Sequence, residues 1–320
     1  MSKNRSGLRA CWMVLVFAGC SVASAQDTYP TKPIRILAST AGGSTDFAAR
    51  ILAEGLTDSL GQQVIVDNRP GLIAAQTLAN ASADGYTLAV YSGQTWLLPF
   101  LRDNIGYDPV KDFAPISIID RSPVVLVVHP SLPVKSVGEL ISLAKAKPGA
   151  LNFSRPSLGS PTHLSAELLK AMAGVNIVGV AYKGAAGATL AIVTGEVELG
   201  FVSLAAGAGL IKTKRIRALA VSTAEPSPMF PDLPTVAASG LPGFESALVN
   251  GMFTRAGIPA SLINRLNQKV VELLRRPEVK KRYSAAVQTV GSSPEALASL
   301  IKSDMARWGK LIKAANIRVN

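Results

Sequence analysis

From Ile34 onward, short β-branched runs alternate with stretches of helical period, and this alternation limits the fold more than any other feature of the chain. "PIRILAS" precedes a helix expected from Asp46 to Leu60, "QVIVDN" one from Ala74 to Ala81, and "YTLAVYS" a short one from Trp96 to Arg102. Such β-α-β repetition calls for mainly parallel sheets with both faces covered. After "APISIID" and "VVLVVHP" the pattern restarts. A helix from Val137 to Lys145 leads to "LNFSRP", a helix from Thr162 to Met172 to "NIVGVAY", a helix from Ala186 to Thr194 to "ELGFVSL", and a helix near Ala208 to Lys212 to "IRALAVST". A Pro-rich stretch, "EPSPMFPDLPTVAASGLPGF", ends the second series, and "ALVNGMFTRAGIP" leads back to long amphipathic helices. The expected class is α/β, with two lobes that are each a mainly parallel sheet flanked by helices. A chain that leaves the first lobe and returns crosses twice, near Asp120 to Val128 and near Ser246 to Thr254. The expected boundaries are 26–124 plus 250–320 for the first lobe and 125–249 for the second, with a ligand cleft between them.

Residues 1–25 stand outside that pattern. A basic start (Lys3, Arg5, Arg9), an apolar run from Cys11 to Gly19 and Ala23-Ser24-Ala25 read as a secretory signal cut before Gln26. The run is shorter than the roughly 20 residues that span a bilayer. "FAGC" offers a rival reading, a lipid anchor at Cys20. Both cysteines lie in this leader, so a product cut before Gln26 has no thiol for disulfides, catalysis or metal. The net charge of +12 is unevenly placed: residues 26–254 carry 17 basic against 17 acidic side chains, and 255–320 carry 13 against 4. The excess fits solvated faces of C-terminal helices such as "NRLNQKVVELLRRPEVKKRY", and the scarcity of interleaved aromatics argues against nucleic acid as a partner.

With two histidines, His129 and His163, the catalytic constellations can be tested one by one. His129 closes an apolar run before Pro130 and reads as structural. His163 follows "SRPSLGSPT", where Ser154, Ser157 and Ser160 crowd a loop, so a serine hydrolase is a rival function, although no GxSxG elbow occurs. His163 and Glu167 share a helix face but give two of the three or four ligands a metal needs, so the pair reads as solvent-facing or capping. Neither a metal nor a cofactor is expected.

Three glycine-hydroxyl turns remain. "TAGGSTD", Thr40 to Asp46, has neither the Lys-Ser/Thr ending of a P-loop nor the third glycine of GxGxxG, so it offers generic anion physics: close backbone N–H groups, a helix start and hydroxyl donors from Ser44 and Thr45. Asp46 reads as an N-cap or first-turn acid. "YSGQT", with Ser92, Gln94 and Thr95, and "SRPSLGSPTH" repeat the design at other strand ends, where parallel sheets bind ligands. Such neutral donors suffice for a carboxylate without a buried arginine.

The segments "YPTKPIRIL", "GGSTDFAAR", "VDNRPG", "DGYTLAV", "YDPVKDFAPIS", "HLSAELLKAMAG", "AYKGAAGA" and "FPDLPTVAASGLPGFE" resemble, in order, the Bug/TctC extracytoplasmic solute receptors of tripartite tricarboxylate transporters. The resemblance spans Tyr29 to Asn320. It implies a periplasmic two-lobed binding protein of type II-like fold that closes on a small carboxylate as a monomer and hands it to membrane permease subunits or, alternatively, to a sensor kinase. It implies binding positions at Thr40, Gly42, Gly43, Ser44 and Asp46, at Ser157, Ser160 and His163, and at Tyr182 with Gly184; Ser203 in "GFVSL" joins this set. Departures from the family pattern fall at Thr40, at the shortened "NRPGLI", at Val202 and at Val249. Val202, in place of an acid, is expected to make the pocket tolerant of negative charge or of apolar groups, and His163, if it faces the anion, is expected to tighten binding as pH falls.

Overall fold

A computed structural model describes residues 29–317 except 40, 42, 157, 158 and 284–286. The chain runs β1 (Ile34–Ala38), α1 (Ser44–Leu60), β2 (Val64–Asn68), α2 (Gly71–Ala79), β3 (Thr87–Ser92), α3 (Gly93–Leu101) and β4 (Phe113–Val128). It continues through α4 (Val137–Ala146), β5 (Asn152–Arg155), α5 (Pro161–Ala173), β6 (Val178–Ala181), α6 (Gly184–Thr194), β7 (Leu199–Ser203), α7 (Leu204–Lys212) and β8 (Arg217–Val221). It returns through β9 (Ala247–Arg255), α8 (Ala260–Arg275), α9 (Pro277–Arg282), β10 (Gln288–Thr289) and α10 (Pro294–Ala314). The leader calls, signal and lipid anchor alike, lie outside the described residues.

One sheet path, β2-β1-β3-β9-β4-β7-β5-β6, serves both lobes. β1 pairs in parallel with β2 and β3, and β5 with β6 and β7, whereas β9 and β4 run antiparallel to their neighbours. Each half is covered on both faces. In the first, Ile36, Val90, Leu52 of α1 and Val270 of α8 form one apolar layer, and Leu37, Leu78 of α2, Trp96 of α3 and Ile312 of α10 form the other. In the second, Phe153 and Phe201 pack with Leu140 of α4 and Leu169 of α5, and Val125 and Val202 with Ile192 of α6. α8 buries Leu266, Val270, Leu273 and Leu274 and turns its charges outward, as its period requires.

Two expectations are corrected. The runs "APISIID" and "VVLVVHP" are one strand, β4, of 16 residues. Its prolines do not break it, because the pairing with β9 shifts register beside Pro115, and Pro123 falls where β4 leaves β9 for β7 and β8. The helices after the glycine-bearing loops also start two to four residues earlier than expected, at Ser44, Gly71, Gly93, Gly184 and Leu204. Their first turns are small or polar, and hydrophobic period detects a helix only where apolar side chains begin.

Candidate functional site

Strand register brings the loops together. Ser92, the last residue of β3, lies opposite Asn250 of β9, and Asn250 lies opposite Asp120 of β4. In the other half Ser203, the last residue of β7, lies opposite Val124 of β4. The carboxyl ends of the parallel strands from both halves therefore approach a four-residue stretch of one strand, about 13 Å at 3.3 Å per residue. This is where ligands of such sheets bind.

On the first-lobe side a cavity of about 200 Å³ opens among the starts of three helices. Ser39 and Thr45 line it from β1 and α1, Gly71 and Leu72 from α2, and Ser92, Gln94 and Thr95 from α3. The N-cap residues of these helices, Gly43, Pro70 and Ser92, give no side-chain hydrogen bond to the first turn. Gly43 and Pro70 have no acceptor to offer, and Ser92, although extended at φ −103°, leaves α3 uncapped. Each first turn carries backbone N–H groups that have no intrahelical partner, and the three macrodipoles add positive potential at one place. The floor is fixed by hydrogen bonds of its own. Ser39 and Thr45 join their hydroxyls. Asn68 Nδ2 donates to Ser39 O at 2.8 Å and to Asp46 Oδ1 at 2.9 Å, and Arg50 Nε lies 3.0 Å from the same carboxylate. Asp46 is thus a buried first-turn acid that ties α1 to the end of β2. Tyr91 and Tyr107 donate to Ala74 O and Thr95 O, and burial raises both phenols so far that they stay protonated.

The second-lobe side is built differently. Ser160 caps α5 by accepting from His163 N–H at 3.3 Å, and Ser203 caps α7 by accepting from Ala206 N–H at 3.3 Å. His163 is 2% exposed. Its Nδ1 accepts from Gly159 N–H at 3.0 Å, so the proton sits on Nε2, which faces Glu167 Oε1 at 3.7 Å. Burial alone would raise the Glu167 pKa, but His163 and Lys170 outweigh it and hold the carboxyl below its ordinary value. The His163–Glu167 pair is therefore internal rather than solvent-facing, because Phe153 stacks on the imidazole from the sheet. His129 bonds locally to Ser131.

The other expected positions divide. Gly43 and the exposed Ser44 open α1; Gly184, at φ +73°, opens α6 beside Tyr182, and Lys183 gives that helix no side-chain cap. Ser154 is buried under Gly200, where an added Cβ would lie 2.6 Å from its Oγ. Val202 is buried in an apolar layer of the second half and Val249 in one of the first, and neither lines this cavity. Thr40, Gly42 and Ser157 lie outside the described residues.

The model of the tripartite tricarboxylate transporter family receptor matches residues 48–317. The chain belongs to that family. BugT of Bordetella pertussis is 33% identical to this receptor over 309 residues, which are 94% of this chain and 95% of BugT. The structure of R. palustris Rpa4515 with adipate is 37% identical, with a TM-score of 0.79 and coverage of 91% of this chain and 100% of the other. MatC from Rhodopseudomonas palustris, with bound malate, is 27% identical, with a TM-score of 0.76 and coverage of 89% and 100%. The receptor is accordingly an extracytoplasmic solute-binding protein and not an enzyme.

Sequence reasoning missed most of the lining of the receptor's cavity, including Ser39, Gly71, Tyr107 and its one charged residue among those described, Arg102. Gly71 had a signal, since Pro-Gly after a strand marks a turn, whereas Tyr107 arrives from a separate loop that no spacing announces. A larger hollow of about 540 Å³, lined by Pro130, Arg217 and Phe230, lies at the Val128 end of β4, away from the converging strand ends. Among the described residues no acidic, histidine or cysteine cluster could hold a metal, and no helix is long and apolar enough to cross a membrane.

Proposed function

We propose that the receptor captures a small carboxylate between its lobes and presents it to the membrane subunits of a tripartite transport system. In this reading the first lobe comprises 26–124 and 250–320, the second 125–249, the leader directs export to the periplasm, and the receptor works as a monomer. The observation that carries it is the cavity at the carboxyl ends of β1 and β3, where three uncapped helix starts meet. A carboxylate supplies the acceptors that these N–H groups lack. Ser44, Ser92, Gln94 and Thr95 add side-chain donors, Thr40 and Gly42 complete the first loop, Ser157, Tyr182 and Gly184 close from the second lobe, and Ser160 caps α5 behind them. His163 and Asp46 hold the two loops in shape from below.

Hydrogen bonds to a charged acceptor contribute roughly 1.5–3 kcal/mol each. Four or five of them, less the entropy of capture, leave about 8 kcal/mol, which is micromolar affinity. The adipate and malate named for two related structures are of the matching chemistry. Titration calorimetry against mono-, di- and tricarboxylates tests the reading: heat of binding with micromolar dissociation constants is expected for at least one of them, and silence across the panel overturns it.

A further inference from the structure

Arg155 takes no part in the reading above. It ends β5 opposite Ala181 of β6, and its carbonyl accepts from Tyr182 N–H at 2.9 Å. Side chains alternate along a strand, so Arg155 stands on the face that carries Phe153, whose ring stacks on His163 of α5. It therefore lies at the strand end where α5 begins. That end meets the other lobe: a Cβ on Gly159 would fall 2.2 Å from Leu101 Cδ1 of α3, and Leu164 of α5 packs in the layer of α2, α3 and α10.

The guanidinium Nε of Arg155 is buried without a hydrogen-bond partner. The acid on the same helix face, Glu167, is held by Lys170 at 2.9 Å and by His163. Arg121 makes an instructive contrast. Its Nε is also buried and unpartnered, but its charge acts on Asp304, an acid that burial raises and Trp96, Arg307 and Arg121 pull back. Arg155 forms no ion pair with an acid among the described residues. Arg155 is half-buried, and its buried Nε–H lacks an acceptor, a group that native proteins keep where another acceptor answers it.

We infer that Arg155 is the charged partner of the ligand's carboxylate on the second-lobe side of the cleft and a residue that determines specificity for anions. The inference rests on the carboxylate-binding reading. The positive start of α5 beside it adds attraction of the same sign, and the planar guanidinium fits a carboxylate with two parallel N–H donors. A dianion then spans the seam, with one carboxylate over the open helix starts and the other on Arg155.

Calorimetric titration of the wild-type chain, Arg155→Gln and Arg155→Lys with adipate, malate and hexanoate tests this. Arg155→Gln is expected to weaken the dicarboxylates by roughly ten- to a hundredfold and hexanoate much less, with Arg155→Lys in between. The melting temperature without ligand should not fall, because the removed group was unpaired. Dicarboxylate affinity unchanged in Arg155→Gln overturns the inference, and so does equal weakening of all three compounds with a lowered melting temperature, which marks a structural arginine. A wild-type chain that binds none of the panel instead fails the underlying reading.

Discussion

Helix starts on the two sides of the cleft have the same polypeptide chemistry and opposite fates. On the second-lobe side Ser160 and Ser203 turn their hydroxyls onto the first turns of α5 and α7, and α6 is left uncapped by a side chain. Around the first-lobe cavity Gly43, Pro70 and Ser92 leave α1, α2 and α3 without a side-chain cap. A cap contributes about 1 kcal/mol, so three missing caps forgo stability of that order each and retain it as binding capacity. The difference teaches that an anion site can be built in part by omission: the fold withholds its own acceptors where the ligand is to supply one.

The largest expected effect lies at the seam between these regions. Asp120 of β4 is buried beside Asn250 of β9 and Tyr283, and burial pushes its carboxyl up to about 7, with Asn250 and Tyr283 pulling it part of the way back. A folded pKa above the unfolded value of about 3.8 gives stability that is complete below that value and is lost as pH rises through about 7. The loss should be on the order of 4 kcal/mol. Urea unfolding between pH 4 and 8 should show it, and Asp120→Asn should flatten most of the slope. Asp304, also raised by burial, leaves a residual slope of the same sign. A slope that survives Asp120→Asn intact places the titrating group within a lobe instead.

A smaller effect tests the comparison directly. Gly43→Asp sets an acceptor at an N-cap position whose extended backbone, φ −81° and ψ 172°, accepts any side chain. The chain should gain about 1 kcal/mol in stability, and carboxylate affinity should drop at least about tenfold, since the variant's own carboxylate occupies the helix start. Higher stability with unaltered affinity in paired melting and calorimetry runs would refute withheld capping as the basis of binding. Smallest is Ser160→Ala on the other side. It should cost about 1 kcal/mol of stability, with affinity reduced only through the loosened turn at Gly159. A loss of binding larger than the loss of stability would move Ser160 from the scaffold to the ligand.

Much of this architecture is legible in the sequence, because alternation of β-branched runs and helical period is a local property. What was lost is non-local. Pro115 and Pro123 read as punctuation, and only the register shifts and partner exchange along β9 show that one strand passes through both. His163 and Glu167 look like a surface pair until Phe153 is packed over them. Ser92, Ser160 and Ser203 are alike on paper; two of them cap a helix and one does not, and that choice depends on side-chain orientation after folding. Arg155 shows the same limit from the other side, since its unpartnered Nε can be seen only once the chain is folded.

β4 carries a mechanical corollary. Its ladder with β9 runs, with two register shifts, from Phe113 opposite Arg255 to Pro123 opposite Ala247, and the next residue already pairs with β7. There is no slack linker on which the halves could swing freely. Opening has to flex a two-stranded ribbon whose amides stay bonded, so this clamp behaves as a leaf spring: small travel, a built-in restoring torque and a preferred rest angle.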